Sequence, residues 1–372
     1  MLSNWEIESN YIFGYNLNTL NTNLNDIKYV YIFDLDYTLI KTKSGNKFPK
    51  NKFDWTLLYQ NVSEKISKLS NSLIGIISNQ KGLKTEEQKK DWIDKLKQIN
   101  KELNLDFVFA SLSDDRYRKP LPGSFEFIKE KFIGIDWNGL IKKKKIYYIG
   151  DAFGRPEDFS DTDIKYAINN NFKFKTPEIF FDTGDKNISG SIEYPIINYF
   201  SVSAQKKLFD ELDTIIKSNK KIIIITIGFP ASGKSFLRKE LIKKYPQFSY
   251  YNNDDIHNNI QSRTLIKKIS NNDDFIIDDN TNLDKFIREN KLKQFESYYK
   301  VGIWFDYDLE LCQHFNWMRM YWFGEKLLSK VIYYSLNKKF DKTNLENGFN
   351  KFFIINNVFR EMDLNNKIKY YL

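Results

Sequence analysis

Two phosphate-handling patterns, each placed directly after an apolar run, constrain the fold of this chain most. The first is FDLDYT at residues 33–38, which follows the run YVYI, and the second is GFPASGKS at residues 228–235, which follows IIIITI. An apolar run that ends in a polar loop is typical of a buried parallel strand with a ligand site at its carboxyl end. A chain of 372 residues has room for two domains. We therefore predict two α/β domains, one around each pattern.

The order of strand-like and helix-like segments supports this prediction, because it alternates as in a parallel sheet covered by helices. We predict strands over residues 29–33, 73–77, 107–109, 145–149, 221–227, 275–277 and 301–305, and helices over 62–69, 85–103, 204–217, 235–244, 283–299 and 345–359. The predicted organisation is an N-terminal extension (1–27), a first domain (28–184), a linker (185–218) and a second domain (219–372). The extension would form an edge strand or stay partly disordered.

The amino-acid composition indicates which kinds of partner and which kind of cell compartment suit this chain. The net charge of +9 favours a polyanionic partner, either nucleic acid or a membrane surface. The single cysteine, Cys312, allows no intrachain disulfide and is expected to be a core residue in a reducing compartment. No apolar run reaches the ~18 residues that a membrane span needs. We expect an intracellular monomer without a membrane anchor, in a nucleus, an organelle or a viral replication compartment.

The first pattern suits removal of phosphate. The carboxylate of Asp34 could attack phosphorus to form an aspartyl-phosphate, and Asp36 could protonate the leaving oxygen and then activate water. Ser78 and Asn79 end the second apolar strand and would bind the substrate phosphate. Lys119 would neutralise charge in the transition state.

A metal site is predicted beside these residues. Asp151 follows the fourth strand, and its carboxylate suits a hard cation such as Mg²⁺, together with Asp34 and Asp36. Three further carboxyl groups follow closely, and one of them would support the metal: Asp158, Asp161 or Asp163.

The second pattern is a complete phosphate-binding loop between a strand and a helix. Main-chain amides from Gly228 to Gly233 would surround the phosphates of ATP, Lys234 would reach the outer phosphates, and Ser235 would bind Mg²⁺. A plain glycine turn is the alternative, but the full pattern in this context argues against it.

A kinase also needs a base and a source of positive charge at the transferring phosphoryl group. Asp254 follows the second strand of this domain and could be the base, and Asp279 follows the third strand and offers a supporting carboxylate. Arg319 lies in a helical stretch, residues 314–320, that could form a lid. For each residue alone, a capping or surface role is an equally good interpretation.

The first half carries the four motifs of haloacid-dehalogenase-like phosphatases, and the whole chain resembles the bifunctional polynucleotide kinase 3′-phosphatases, in the order phosphatase then kinase. The resemblance rests on FDLDYTLIKTKSGNKFP, SNQKG, RYRKPLPG, YYIGDAFGR, IGFPASGKS, YNNDD and DDNTN. It implies a haloacid-dehalogenase-like (Rossmann-like) domain followed by a P-loop kinase domain. Members of the animal type often carry an N-terminal phosphopeptide-binding module as well, but we expect none here, because too few residues precede the first motif.

The resemblance assigns roles residue by residue, with Mg²⁺ and ATP as cofactors. In the phosphatase it implies Asp34 as nucleophile, Asp36 as acid and base, Asp151 on Mg²⁺, and Ser78 and Lys119 on the phosphate. Asp163 matches the family aspartate in the segment after the metal ligand.

In the kinase the resemblance implies Lys234 and Ser235 on ATP, Asp254 as base and Arg319 as the lid arginine. Three positions depart from the family pattern. Tyr37 replaces a glycine, Asn253 an arginine and Trp317 a basic residue.

The function that follows is repair of strand ends, with removal of a 3′-phosphate and phosphorylation of a 5′-hydroxyl. DNA is the preferred substrate, and a ligase would use the product. Three alternatives stay open at this point: the same chemistry on RNA, a phosphatase and kinase for small metabolites, and a scaffold with inactive sites that binds strand breaks.

Overall fold

A computed structural model describes residues 2–20, 24–184, 202–253 and 273–356. The chain divides into two compact units, and the division falls within residues 185–201. Both units contain a mainly parallel sheet, which confirms the predicted α/β class. Among the described helices, none is both long and apolar enough to cross a membrane.

The first unit is built on a seven-stranded sheet in the order β1-β2-β7-β6-β3-β8-β9. Five strands are parallel: β3 (Tyr29–Phe33), β6 (Ser72–Asn79), β7 (Phe107–Ser111), β8 (Ile146–Ile149) and β9 (Lys173–Lys175). The strands β1 (Asn4–Ile7) and β2 (Tyr11–Tyr15) add to one edge in antiparallel register. Residues 4–15 of the predicted N-terminal extension therefore complete this sheet. Two short strands, β4 (Ile40–Lys41) and β5 (Thr56–Leu57), pair separately.

Alternate residues of a strand point to opposite faces of the sheet, and both faces here carry apolar side chains. Helices cover both faces and bury these side chains. In chain order they are α1 (Leu17–Leu20), α2 (Val62–Ser67), α3 (Glu86–Leu103), α4 (Gly123–Lys131), α5 (Trp137–Lys142), α6 (Thr162–Asn169) and α7 (Pro177–Phe180). The longest, α3, starts with a capping box between Thr85 and Gln88, which satisfies two main-chain amides. Its apolar stripe packs against one face of the sheet, as its helical spacing predicted.

The second unit has a five-stranded parallel sheet in the order β11-β12-β10-β13-β14. The strands are β10 (Ile222–Ile227), β11 (Ser249–Tyr251), β12 (Phe275–Asp278), β13 (Tyr299–Phe305) and β14 (Lys351–Ile355). The described helices are α8 (Val202–Ser218), α9 (Lys234–Lys244), α10 (Lys285–Gln294), α11 (Leu309–Phe323) and α12 (Lys330–Lys339). The helix α8, which falls in the predicted linker, packs Leu208, Leu212 and Ile216 into the core of this unit.

Two of the predicted helices are corrected by the structure. The prediction of a helix over 345–359 is wrong, because residues 351–355 form the edge strand β14, which pairs with β13. The run KFFII is rich in residues that favour strands, and Gly348, at φ +83°, turns the chain just before it. The helix expected over 283–299 ends at Gln294, because Tyr299 already begins β13.

Candidate active sites

The residues predicted for phosphate removal meet at the carboxyl end of the first sheet. Asp34 follows β3 and its main-chain N–H donates to the Ile149 carbonyl (2.8 Å) at the end of the neighbouring strand. Ser78 and Asn79 end β6, and Asp151 follows β8. Parallel strands bring these distant positions together because their carboxyl ends share one edge.

Lys119 is the centre of the buried part of this site. Its ammonium donates to Asp34 Oδ1 (2.7 Å), Asp163 Oδ1 (2.8 Å) and Tyr148 Oη (2.6 Å), and only 3% of the residue is exposed. Burial by itself would lower the pKa of Lys119, but Asp163 and Asp34 raise it above its ordinary value. The ammonium therefore stays charged where it can neutralise a transferring phosphoryl group.

Tyr148 is a site residue that sequence reasoning missed. Its hydroxyl donates to the Ile77 carbonyl (3.0 Å), and burial together with Asp163 and Asp34 raises its pKa well above the ordinary value. The phenol therefore stays protonated and accepts from Lys119. A tyrosine within an apolar strand has the pattern of a core residue, so no sequence signal distinguishes it.

Three carboxylates form the candidate metal site. One oxygen each from Asp34, Asp151 and Asp163 lies within 4.8 Å of the others. Burial, then the charges of Asp163 and Asp34, raises the pKa of Asp151 to about 8. Oxygen donors held this close suit a hard divalent cation, which would relieve their mutual repulsion.

Of the three carboxyl groups that follow Asp151 in sequence, the structure places near the candidate metal site the one that the resemblance singled out. Asp163 belongs to the metal cluster. Asp158 instead binds Arg155, with 2.8 Å between its Oδ1 and Arg155 Nε, and Asp161 pairs with Lys165 at 2.8 Å. Their charges are thus paired with Arg155 in the loop after Asp151 and with Lys165 on α6.

The Asp36 side chain lies outside the cluster of Asp34, Asp151 and Asp163, and its place among the metal ligands stays a prediction. Its Oδ2 accepts from Gln80 Nε2 (2.9 Å), its Oδ1 lies 4.0 Å from Lys95 Nζ, and the side chain is 44% exposed. An exposed carboxylate two residues from the nucleophile suits the acid and base role. Gln80 also donates to Ser78 Oγ (3.1 Å), which links the acid to the predicted phosphate-binding hydroxyl.

The Asn79 side chain is hydrogen-bonded to the backbone of Lys119, and its contact with the substrate phosphate stays a prediction. Its amide nitrogen donates to the Lys119 carbonyl (3.0 Å), and its oxygen accepts from the Lys119 main-chain N–H (3.0 Å). Asn79 therefore fixes the backbone of Lys119 and, through it, the position of the ammonium.

Gly150 is required for the position of Asp163. A Cβ atom at Gly150 would lie 2.3 Å from Asp163 Oδ2. We expect Gly150→Ala to displace that carboxylate and to lower phosphatase activity by about 10²-fold, since misplacing a catalytic group by about 1 Å has this effect. Initial rates of phosphate release measure it.

The matched control is Gly82→Ala, because a Cβ at Gly82 meets no atom within 4 Å. Equal activity of the two alanine variants would contradict the assignment.

Asp54 holds the loop at residues 43–54, which follows the catalytic aspartates. Its carboxylate accepts from the Lys50 amide (2.9 Å), the Ser44 hydroxyl (2.7 Å) and the Ser44 amide (2.8 Å). These bonds, that to Lys50 foremost, lower the pKa of Asp54 to about 2. Because the folded-state pKa is below the unfolded value, the stabilisation is complete above about pH 4 and is lost as pH falls towards 2.

We expect Asp54→Ala to loosen this loop at neutral pH. Amide hydrogen exchange at Ser44 and Lys50 should become about tenfold faster or more, because a charged acceptor is lost. The wild type should show the same change only as pH falls below about 4. Asp91→Ala, which removes a surface partner of Lys52, is the control. Unchanged exchange in Asp54→Ala would refute the proposed anchor.

The second site is the loop between β10 and α9. Gly233 precedes the helix with φ +98°, a conformation that favours glycine. Lys234 Nζ donates to the carbonyls of Phe229 (2.6 Å) and Gly228 (3.1 Å). The amides at the start of α9 and the Lys234 ammonium together form an anion site.

Asp279 lies next to this loop, as the sequence predicted. Its carboxylate lies 3.2 Å from Arg238 Nε and accepts from Asn252 Nδ2 (3.2 Å), and Ser235 is near enough to lower its pKa. Burial raises its pKa, and Ser235, Lys234 and Arg238 oppose this. The hydroxyl of Ser235 and the carboxylate of Asp279 are oxygen donors that fit a cation beside the phosphates.

The predicted base, Asp254, lies outside the described residues, directly after Asn253. The Asn253 amide donates to Asn280 Oδ1 (2.9 Å), so the described chain leads towards the end of β12. Arg319 lies on α11, as predicted, and pairs with Glu325 (3.1 Å). The charge of Arg319 acts to lower the pKa of Tyr333, against the effect of burial. The Tyr333 hydroxyl donates to the Pro230 carbonyl of the phosphate loop (3.3 Å).

Cys312 is buried in the second core, and burial raises its pKa to about 12. It is a core residue, as expected, and not a nucleophile.

Two separate sites thus occur in one chain: a carboxylate–ammonium cluster for aspartyl-phosphate chemistry and a phosphate loop for a nucleotide. This is the construction of a phosphatase joined to a kinase. The family model for polynucleotide kinase 3 phosphatase matches residues 29–181. The bifunctional polynucleotide phosphatase/kinase of Schizosaccharomyces pombe is 31% identical over 328 residues, which cover 85% of this chain and 77% of the relative. The chain belongs to the family of bifunctional polynucleotide phosphatase/kinases.

Two further relatives agree with this assignment. A protein of Acanthamoeba polyphaga mimivirus, provisionally named as a bifunctional polynucleotide phosphatase/kinase, is 26% identical and covers 88% of this chain and 84% of its own. The polynucleotide 3′-phosphatase of Saccharomyces cerevisiae is 31% identical and covers 41% of this chain and 87% of its own.

Proposed function

We propose that this protein prepares broken nucleic-acid strands for ligation. It removes a 3′-phosphate at the first site and transfers a phosphoryl group from ATP to a 5′-hydroxyl at the second. The contact of buried Lys119 with both Asp34 and Asp163 carries the proposal, because it joins a nucleophile, a charge-neutralising group and a metal ligand.

At the first site, Lys119 holds Oδ1 of Asp34, and we assign the attack on phosphorus to Oδ2. The bond from phosphorus to the 3′-oxygen breaks while the aspartyl-phosphate forms, and Asp36 donates the proton to the leaving oxygen. Asp36 then takes a proton from the water that hydrolyses the intermediate. The hydroxyl of Ser78 and the ammonium of Lys119 stabilise the phosphoryl oxygens.

Mg²⁺ is the cation we propose for both sites, held by Asp34, Asp151 and Asp163 in one and by Ser235 with Asp279 in the other. When bound, it would offset charge on the phosphoryl oxygens. In the kinase, the loop amides and Lys234 hold the phosphates, Arg319 neutralises charge, and Asp254 accepts the proton of the 5′-hydroxyl.

We further propose DNA as the preferred substrate, with the net charge of +9 favouring a polyanion. The protein would act as a monomer within the cell and supply its product to a ligase. The cell compartment of this protein stays a prediction.

The test uses a nicked duplex that carries a 3′-phosphate and a 5′-hydroxyl, with ATP and Mg²⁺, and a matched RNA substrate. We expect a 3′-hydroxyl and a 5′-phosphate, and loss of both products with a chelator. If neither end of either substrate changes, the proposal fails. Faster conversion of the RNA would reassign the preferred substrate.

A further inference from the structure

Tyr37, next to the acid Asp36, has an unusual backbone conformation. Its φ is +58°, in the left-handed region that glycine adopts without cost and other residues rarely adopt. An aromatic residue kept at such a place, beside catalytic groups, points to a use for its side chain.

The side chain of Tyr37 is exposed beside Asp36, on the open side of the phosphatase site that we call its mouth. The residue is 44% exposed, and its hydroxyl donates to the Lys47 carbonyl (3.3 Å) in the loop at residues 43–54. The anchor at Asp54 holds this loop, so the phenol is fixed rather than free to rotate away.

Lys47 links Tyr37 to the chain segment between the metal ligands Asp151 and Asp163. Its ammonium lies 4.5 Å from the ring centroid of Phe159, which is 85% exposed and stands between the metal ligands Asp151 and Asp163 in sequence. A cation and two exposed rings, Tyr37 and Phe159, therefore form a connected group that joins the residue after Asp36 to the segment between Asp151 and Asp163. We call these three residues the mouth cluster.

Exposed rings and a cation are what a single nucleic-acid strand binds, since bases stack on aromatic faces and phosphodiesters attract ammonium groups. We propose that the mouth cluster binds the 3′-terminal segment of the substrate strand. Tyr37 stacks on the base of the last nucleotide, and Lys47 contacts the phosphodiester that precedes it. This inference rests on the proposed 3′-phosphatase function.

The test compares a 3′-phosphorylated DNA oligonucleotide with p-nitrophenyl phosphate, a small ester without a base. In Tyr37→Asn, whose side chain tolerates positive φ, the ratio of the two kcat/KM values should fall roughly tenfold. Tyr37→Phe should keep the wild-type ratio, because it keeps the ring. An oligonucleotide with an abasic last residue should show no further loss in Tyr37→Asn.

Lys47→Met provides a second measurement. The slope of log(kcat/KM) for the oligonucleotide against log salt concentration should become shallower by about 0.7, the value for one phosphate contact to a single strand. The matched control is Phe53→Ala, another exposed aromatic on the same loop, which should keep the wild-type ratio and slope.

An unchanged ratio in Tyr37→Asn, or an equal loss on the abasic substrate, overturns the inference and leaves the proposed function intact. If the wild type cleaves p-nitrophenyl phosphate but not the 3′-phosphorylated oligonucleotide, the proposed function itself fails. Thermal melting of each variant separates unfolding from loss of binding.

Discussion

Asp34→Asn is expected to lower 3′-phosphatase activity by at least about 10⁴-fold, because the neutral amide cannot attack phosphorus and removal of a nucleophile has effects of this size. The change keeps the shape of the side chain, and Lys119 keeps its contacts with Asp163 and Tyr148. Release of phosphate from a 3′-phosphorylated oligonucleotide measures the loss.

The kinase activity of the same variant is the internal control and should stay within about twofold of the wild type, since the second site has its own residues. Asp94→Asn, at a surface partner of Lys52, is the matched control for the substitution. Retained phosphatase activity in a folded Asp34→Asn protein would show that another group is the nucleophile.

Lys234→Met is expected to lower 5′-kinase activity by about 10³-fold or more, the range found when a charge that stabilises the transferring phosphoryl group is removed. Methionine fills a similar volume, and Lys234 is buried against the carbonyls of its own loop. Transfer of labelled phosphate from ATP to a 5′-hydroxyl oligonucleotide measures the loss.

Lys239→Met is the matched control, because Lys239 is exposed on the same helix, α9. Phosphatase activity should be preserved in both variants. If Lys234→Met also lost the phosphatase while folded, the claim of two independent sites would be refuted.

The local sequence pattern was enough to predict the strand and the polar loop on which each site is built. The two apolar strands that end in FDLDYT and GFPASGKS have the predicted bounds to within one residue, because a buried parallel strand and its loop are encoded by adjacent residues. The prediction of a helix over 345–359 was wrong because the structure of this segment depends on a distant part of the chain. The segment 351–355 contains strand-favouring residues, but its strand also needs the open edge of β13, which lies some fifty residues earlier in the chain.

By itself, the sequence determined the α/β class, the two phosphate sites and most of their charged residues, since these depend on residue type and on position after a strand. Only the tertiary structure showed that oxygens of Asp34, Asp151 and Asp163 lie within 4.8 Å of one another, and that Tyr148 and Gln80 contact the site. It also showed that the Asn79 side chain binds the backbone of Lys119. These assignments depend on distances between atoms far apart in the chain, which packing sets and sequence spacing does not encode.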